Sequence, residues 1–323
     1  MQRKRQYFIG VDVGGTKIAA GLMTSQGKIL LKKKIPVPLN VRSAVLGQMI
    51  QGLIEEVLYE GNISVSSLYG IGLGIPGIVD PASGKILRTP NIHLAGYPLI
   101  QRLKKVFKTR IVFGNDVNLG VLGEKWLGAG KTTDNLIGIF LGTGVGGGIV
   151  LDGKICLGSQ GAAGELGHMI IDCHSPHSSA GVLGTLEALT SRRAIERKIR
   201  EAIRLKKKTI VTELTGGNLR IIKSRVLRKA LKKRDPVVTQ IINEVCFILG
   251  KTCISLRHIF NPDMIIFGGG VIEACGEYML PRIKRISDKN PFLAGIDHCK
   301  IVSSQLGDDA VLLGAVALVK QNS

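Results

Sequence analysis

The stretch Phe8-Ile9-Gly10-Val11-Asp12-Val13-Gly14-Gly15-Thr16-Lys17-Ile18-Ala19-Ala20-Gly21-Leu22 carries the most specific pattern in this chain. Two apolar runs flank a glycine turn, which predicts a strand, a tight turn and a second strand. Backbone N–H groups in such a turn can surround an anion, because glycine lets the chain bend sharply and a ligand approach closely. Asp12 precedes the turn, and a carboxylate beside a bound phosphate needs a cation between them, for which Mg²⁺ is suited. An ordinary hairpin with a Gly-Gly turn explains the same stretch.

The composition is that of a globular protein with an aliphatic core. The chain has 323 residues, enough for about two domains, and 45% of them are apolar while 4% are aromatic. Its six cysteines are dispersed without CxxC spacing, which indicates reduced thiols and a cytoplasmic location. The sequence has no uninterrupted apolar run of about 18 residues, so we predict no association with a membrane.

The charge of the chain is strongly positive, with a formal net charge of +20. Basic residues gather at Lys104–Arg110, Arg192–Lys208 and Arg220–Arg234. These runs are mixed with Ile, Leu and Ala at helical spacing, and no aromatic residues interleave them as stacking platforms for bases. We therefore predict solvated helix faces and no nucleic-acid partner, with attraction of anionic substrates as a benefit of the charge.

Two further predicted strands end in glycine-rich or polar turns. Leu68–Leu73 leads into Gly74-Ile75-Pro76-Gly77, and Arg110–Gly114 leads into Asn115-Asp116-Val117-Asn118, where a helix begins. In open α/β sheets, ligands bind at the carboxyl ends of the strands. Asp116 is therefore a candidate for catalysis, although Asn115 or Asp116 could instead serve only as a helix cap.

Residues 136–157 repeat the order of residues 8–31, namely a strand, a glycine turn, a strand, a Gly-Lys turn and a strand. The second glycine turn is Gly142-Thr143-Gly144-Val145-Gly146-Gly147-Gly148. Its GxGxxG pattern opens a strand rather than a helix, which argues against a Rossmann fingerprint. Two such turns could hold one nucleotide, with Thr143 offering a hydroxyl where the first turn has Asp12. Coincidental hairpins are the alternative.

The segment after the second turn carries further polar residues at helical spacing. Glu165 and His168 are three residues apart and would share one face of a helix. The spacing also predicts one helix over Thr185–Arg204, with Glu187 near its N-terminus, where the helix dipole favours a carboxylate.

Together these segments resemble the ROK family (repressors, open reading frames, kinases), and within it the bacterial glucokinases. The resemblance runs from residue 7 to residue 319 and rests on Asp12–Lys17, Gly74–Gly77, Asn115–Asn118, Leu141–Gly148, Gly164–His168, Glu187 and Gly268–Gly270. It implies the actin-like (ribonuclease H-like) sugar kinase fold, in which two α/β domains surround a cleft, and a homodimer. We expect an N-terminal domain over 1–116, a larger domain over 117–304, and a terminal helix within 305–323 that returns to the first domain.

The resemblance also implies roles for individual residues. Asp116 resembles the catalytic base, and Asp12 resembles the residue near Mg²⁺. The positions that match sugar-binding residues are Asn91, Asn115, Glu165, His168 and Glu187. The positions that match the ATP-binding turns are Asp12, Gly14, Gly15, Thr16, Lys17, Gly142, Thr143, Gly144, Val145, Gly146, Gly147 and Gly148, with Gly268, Gly269 and Gly270 beside the adenosine.

One departure from the family concerns zinc. The family usually binds zinc through a histidine, here His168, and a cysteine-rich element whose three cysteine positions are Ser178, Ala180 and Thr185 in this chain. These residue types do not supply the nitrogen or sulfur ligands that zinc favours. We therefore expect no structural zinc, with a rescued site from the nearby Cys173, His174 and His177 as the alternative.

The resulting prediction is ATP-dependent phosphorylation of a hexose, glucose at its 6-hydroxyl, with Mg²⁺ and with Asp116 as general base. N-acetylhexosamines and fructose are the alternative substrates within the family. A non-catalytic sugar-sensing protein is an alternative that the lost cysteines favour and the intact Asp12 and Asp116 oppose. A DNA-binding repressor needs an N-terminal helix-turn-helix module, for which the seven residues before Phe8 leave no room.

Overall fold

The structure is a computed structural model that describes residues 6–80, 83, 85–90, 92–296 and 298–321. These residues form strands β1 (Tyr7–Val13), β2 (Lys17–Thr24), β3 (Ile29–Pro36), β4 (Leu68–Ile75), β5 (Ile78–Asp80), β6 (Lys85–Arg88), β7 (Arg110–Asn115), β8 (Leu136–Leu141), β9 (Val145–Leu151), β10 (Lys154–Ile155), β11 (Ser178–Ser179), β12 (Val182–Leu183), β13 (Met264–Gly268) and β14 (Lys300–Ser303). The helices are α1 (Ser43–Glu60), α2 (Leu99–Phe107), α3 (Asp116–Leu127), α4 (Leu186–Thr190), α5 (Arg192–Arg204), α6 (Val211–Leu214), α7 (Ser224–Lys232), α8 (Pro236–Phe260), α9 (Gly270–Ser287) and α10 (Ala310–Gln321).

The chain divides into two compact units. One takes in the described residues of Met1–Asp134, Gly148–Gly164 and Gln305–Ser323, and the other those of Asn135–Gly147 and Glu165–Ser304. The three-part division at residues 116 and 304 stays a prediction.

The first unit is built on a five-stranded sheet in the order β3-β2-β1-β4-β7. Strands β1, β4 and β7 run parallel, while β2 and β3 extend the sheet as antiparallel neighbours. Alternate residues of β1 face opposite sides, as the period of a strand requires. Ile9, Val11 and Val13 pack with the apolar faces of α1 and α2, whereas Phe8 packs with α10. Helices therefore cover both faces of this sheet.

The face that α10 covers draws its members from both ends of the chain. Its buried members are Phe8, Ala19, Met23, Leu312, Leu313, Val316 and Val319. Leu119 and Leu122 of α3 pack against neighbouring positions of α10. The last described helix is therefore part of the core that the first two strands begin.

The second five-stranded sheet has the order β10-β9-β8-β13-β14. Strand β13 runs parallel to both β8 and β14, and all five of its residues are buried. Helix α8 begins where the Asp235 side chain accepts the N–H of Val238 at 2.8 Å, with Pro236 in its first turn, and ends at Asn261 in the left-handed conformation. Among the described residues, α8 alone has the length and hydropathy of a membrane span, and 56% of that apolar window is buried within the fold, as in a core helix.

Three features of the local structure differ from what the sequence indicates. The single helix over Thr185–Arg204 is two helices, α4 and α5, because Ser191 is extended (ψ 163°) and its side chain accepts the N–H of Ala194 to cap α5. The second glycine turn is shorter than its run of glycines suggests, because Val145 to Gly148 already belong to β9. The segment that would place Glu165 and His168 on one face of a helix forms only a 3₁₀ turn, Leu166–His168, with Glu165 directly before it.

Candidate functional site

Two carboxylates predicted from the sequence lie at one edge of the first sheet. Asp12 of β1 is in register with Gly74 of β4, and Gly74 is in register with Gly114 of β7. The three strands are parallel, so their carboxyl ends meet at this edge. Asp116 follows Gly114 by two residues. The sheet register therefore brings Asp12 and Asp116 to the same edge, with one glycine-bearing strand between them.

Asn115 fixes the junction between β7 and α3. Its Oδ1 accepts the N–H of Asn118 at 3.0 Å, and its Nδ2 donates to the carbonyl of Gly77 at 2.9 Å. Asn115 is thus the cap of α3, one of the two possibilities that the sequence left open. Asp116 is the first residue of α3, where its Oδ1 accepts the N–H of Val117 at 2.9 Å. The positive end of the helix dipole favours an ionised carboxylate at that position.

A half-buried carboxylate, that of Asp12, lies among lysines just before the first glycine turn. The N–H of Gly14 donates to the carbonyl of Lys17 at 2.9 Å, which closes the turn after Asp12. Burial raises the pKa of the Asp12 carboxyl, while the ammonium groups of Lys17, Lys32 and Lys34 oppose that rise. Magnesium binds one or two carboxylates together with phosphate oxygens. A partly uncompensated carboxylate beside an anion-binding turn fits such an ion.

Asp308 shares the lysines that surround Asp12. It accepts from Lys34 at 2.7 Å and from Lys17 at 3.4 Å, and the hydrogen bond from Lys34 lowers the pKa of its carboxyl. No local sequence pattern relates residue 308 to the first strands, so this contact of Asp308 could not be predicted from the sequence. The one indication in the sequence is that Lys32 and Lys34 of β3 lie two residues apart and so share a face of the strand, where a carboxylate could pair with them.

The second glycine turn carries a carboxylate against its backbone. The N–H of Gly142 donates to the carbonyl of Gly144 at 2.9 Å, and the N–H of Val145 donates to Glu187 Oε2 at 2.8 Å. A Cβ atom on Gly144 would stand 2.2 Å from Glu187 Oε2, so only glycine allows this approach. Thr143 at the tip of the turn is exposed. Glu187, whose position matches a sugar-binding residue of the family, is therefore also hydrogen-bonded to the second glycine turn, which matches an ATP-binding turn.

Gly268 to Gly270 lie at the corresponding end of the neighbouring strand. Gly268 of β13 is in register with Phe140 of β8, the strand that leads into Gly142. Gly269 has a φ of 83° and caps α9. The two glycine segments therefore leave adjacent parallel strands at the same edge, as the resemblance implies for a nucleotide-binding surface.

Three of the predicted sugar-binding residues come together in the second unit. His168 Nε2 lies 3.9 Å from Glu165 Oε2. Burial raises the pKa of the Glu165 carboxyl, His168 opposes the rise, and the charge of Glu187 adds to it. Asn91, a further candidate, lies outside the described residues, and Asn115 belongs to the first unit.

The loop that matches the zinc element of the family is a small hairpin. Strands β11 and β12 pair as Ser178 with Leu183 and Ser179 with Val182. Between them, Ala180 (φ 49°) and Gly181 (φ 85°) both adopt positive φ, the pattern of a type I′ turn. Hydrogen bonds tie the hairpin to the rest of the unit.

Thr185 occupies the third cysteine position and caps α4 by accepting the N–H of Ala188 at 3.2 Å. Ser179 donates a hydrogen bond to Glu187 Oε1. Cys173 is exposed, and within the described ranges no three or more His, Cys, Asp or Glu side chains stand together as a metal site. The side chains at the former cysteine positions do not fit zinc, and the expectation of a zinc-free loop stays a prediction.

Comparison with known proteins identifies the family. The family model described as "ROK family" matches residues 8–322. A glucokinase of Halalkalibacterium halodurans is 33% identical over 317 residues, covering 98% of this chain and 96% of that protein. A xylose repressor of Caldicellulosiruptor bescii is 31% identical over 313 residues, covering 97% of this chain and 77% of that protein.

Solved structures agree in fold. The crystal structure of a ROK family glucokinase from Streptomyces griseus, in complex with glucose and AMPPNP, has a TM-score of 0.82 at 30% identity, covering 98% of this chain and 99% of that chain. The expected actin-like sugar kinase fold is thereby confirmed. With a matching family model over nearly all its residues and relatives above 30% identity along its length, this chain belongs to the ROK family.

Proposed function

We propose that this ATP-dependent sugar kinase phosphorylates glucose at its 6-hydroxyl, with Asp116 as general base. The observation that carries the proposal is the register that brings Asp12 and Asp116 to one sheet edge, beside the Gly14–Lys17 turn. Phosphoryl transfer has a loose transition state with charge on the phosphoryl oxygens, so catalysis depends on positioning and electrostatics. Asp116 would accept the hydroxyl proton and orient the oxygen for in-line attack, a role that typically contributes 10²–10⁴-fold.

The nucleotide would be held by the two glycine turns. The N–H groups of Gly14, Gly142 and Val145 are bonded within the protein, so phosphate oxygens would be held by other N–H groups of the Gly14–Lys17 and Gly142–Val145 turns. Asp12 would hold Mg²⁺, which when bound neutralises charge that develops on the transferred group. Lys17 adds a positive charge at the first turn, although Asp308 shares it at 3.4 Å. Gly268–Gly270 would lie beside the adenosine.

The sugar would be recognised by hydrogen bonds to carboxylates. Glu165 and Glu187 would accept from sugar hydroxyls, and His168 beside Glu165 would add a further polar contact. Both carboxylates are half-buried and would be covered by a bound sugar, so an analogue that lacks a hydroxyl would leave them unpaired and bind poorly. Asn115 and Asn91 complete the proposed set.

The experiment is a coupled ADP-release assay with Mg-ATP over glucose, N-acetylglucosamine, N-acetylmannosamine and fructose, with and without zinc. The expected result is turnover on glucose that does not require zinc. If the protein instead turned over an N-acetylhexosamine or fructose faster than glucose, the proposed substrate would be wrong and the proposed reaction would stand.

A sugar-sensing protein without kinase activity is the second candidate. The lost cysteines and the likeness to a xylose repressor support it. Sugar binding by calorimetry without turnover on any of the four sugars would favour it over the kinase.

A further inference from the structure

Arg192 contacts the tip of the second glycine turn twice. Its backbone N–H donates to the carbonyl of Gly142 at 3.1 Å, and its Nη2 donates to Thr143 Oγ1 at 2.8 Å. Arg192 opens α5, directly after the break at Ser191. Glu187 at the start of α4 accepts from Val145, so the turn is contacted both at the start of α4 and at the start of α5.

The guanidinium of Arg192 is itself held in place. Its Nη1 donates to Glu196 Oε1 at 3.1 Å, one helical turn further along α5. The Glu196 side chain is only 8% exposed, and its other carboxylate oxygen lies 3.6 Å from Arg200 Nη1. A guanidinium has donors in a fixed planar fork and no acceptor. Because Nη1 is bonded to Glu196, the rigid fork directs Nη2 to Thr143.

This contact determines what the Thr143 hydroxyl can do. A hydroxyl has one O–H donor and two acceptor lone pairs. Arg192 occupies a lone pair, and because it cannot accept, the O–H proton is left to donate to another group. Thr143 is exposed, and the neighbouring positive charge favours an anion there. Arg192 and Thr143 are therefore arranged so that the Thr143 O–H group can donate a hydrogen bond to an anionic oxygen.

We propose that Arg192 is a positioning residue for the nucleotide, which orients the Thr143 hydroxyl toward an oxygen of the ATP phosphate chain. This inference rests on the proposed function, in which the second glycine turn binds phosphate. It assigns Arg192 an effect on the phosphates of the nucleotide alone, not on its adenosine part and not on the sugar.

The test compares Arg192→Ala with Arg193→Ala, a matched control in which the neighbouring, exposed arginine is removed. We expect Arg192→Ala to raise the KM for ATP about tenfold, the usual scale for losing a hydrogen bond to a charged group. The KM for the sugar should stay within about twofold of the parent. In calorimetry, ATP should bind more weakly while adenosine binds as it does to the parent, and Arg193→Ala should match the parent throughout.

Two further variants separate positioning from mere support of the fold. Thr143→Val removes the hydroxyl and keeps the shape of the side chain, so it should reproduce the loss of ATP affinity. If Arg192 acts through Thr143, the double variant should lose no more than either single variant. Arg192→Lys should restore part of the ATP affinity, since an ammonium can also donate to the hydroxyl.

Several outcomes would overturn the inference. These are an Arg192→Ala protein that matches Arg193→Ala, equal losses for ATP and adenosine, or additive losses in the double variant. A parent protein that binds ATP but phosphorylates no sugar would contradict the proposed function instead, and the binding comparison would still test Arg192.

Discussion

The backbone N–H of Val145 donates to Glu187 Oε2 at 2.8 Å, so a carboxylate proposed to bind sugar is bonded to a turn proposed to bind phosphate. The other oxygen of the same carboxylate accepts from Ser179. Glu187 thus joins the hairpin of β11 and β12 to the second glycine turn. The position of this carboxylate depends on both neighbours, which makes each of them open to test.

Removal of the Ser179 hydroxyl should weaken sugar binding. Ser179→Ala takes away one of the two hydrogen bonds that orient the Glu187 carboxylate, a loss of about 1 kcal/mol or somewhat more. We expect the KM for the sugar to rise about five- to tenfold, with a smaller change in the KM for ATP. Ser178→Ala, on the exposed neighbour in β11, is the control and should match the parent. An unchanged sugar KM in Ser179→Ala would show that Val145 alone suffices to hold the carboxylate.

Replacement of Asp116 should remove turnover and spare binding. In Asp116→Asn the carboxamide cannot accept the hydroxyl proton, so kcat should fall by about 10²–10⁴-fold. Sugar affinity measured by calorimetry should change little. Asp152→Asn, at the exposed turn between β9 and β10, serves as the control. If Asp116→Asn turned over at the rate of the parent, another group would have to be the base.

We expect the ionised Asp12 carboxylate to lower the free energy of unfolding at neutral pH. Burial raises its pKa above the ordinary 3.8, so the folded chain binds this proton more tightly than the unfolded chain does. The stability contribution of this group therefore falls as the pH rises from 3.8 through the folded pKa, and stays low above it. Asp12→Asn should accordingly melt at a higher temperature than the parent at pH 7, while its turnover with Mg-ATP is largely lost.

Low pH provides the control for Asp12. Below pH 3.8 the carboxyl is protonated in both states, so the melting temperatures of Asp12→Asn and the parent should converge. A variant that melts below the parent at pH 7 would mean that attraction to Lys17, Lys32 and Lys34 outweighs the cost of burial.

Alanine substitutions at the two glycines of the hairpin loop, Gly181 and Gly184, should destabilise the protein to different extents. Gly184 and Gly181 both have positive φ, 68° and 85°, so alanine at either costs about 1–2 kcal/mol of backbone strain. A Cβ on Gly184 would also lie 1.8 Å from the carbonyl oxygen of Asp172, whereas a Cβ on Gly181 meets nothing within 4 Å. Gly184→Ala should therefore lower the free energy of unfolding clearly more than Gly181→Ala in urea titrations. Equal losses would mean that the loop moves freely away from Asp172.

The same loop should hold its shape without zinc. We expect prolonged dialysis against EDTA to leave the melting temperature and the sugar KM unchanged, because hydrogen bonds of Ser179 and Thr185 take the place of metal ligands. Elemental analysis of untagged protein should find far less than one zinc per chain. Stoichiometric zinc that disappears in Cys173→Ser would instead establish a displaced site.

The sequence predicted the parts of the candidate site that depend on local pattern. Glycine turns after apolar runs marked the ends of β1, β4 and β8, and the polar run Asn115–Asn118 marked the end of β7, which together brought out Asp12 and Asp116 as candidates. Capping of α3 by Asn115 was one of two stated possibilities, since a cap depends on residues only three apart.

The remaining contacts depend on distant partners that no local pattern reveals. Ser179 and Glu187 meet only because a two-residue hairpin folds back, and Arg192 reaches Thr143 only because the chain breaks at Ser191. The helical spacing of apolar residues continues through Ser191, so periodicity alone predicted one helix. Asp308 reaches the lysines of β3 across most of the chain.

The packing of α10 on the opening strands has a consequence for synthesis of the protein. Translation delivers β1 and β2 first, and α10 only after every residue of the second unit. Until α10 leaves the ribosome, one apolar face of the first sheet has no cover from its native helix. The nascent chain therefore carries a surface suited to chaperones until α10 has been made, and the first unit cannot be completed before the second unit has been synthesised.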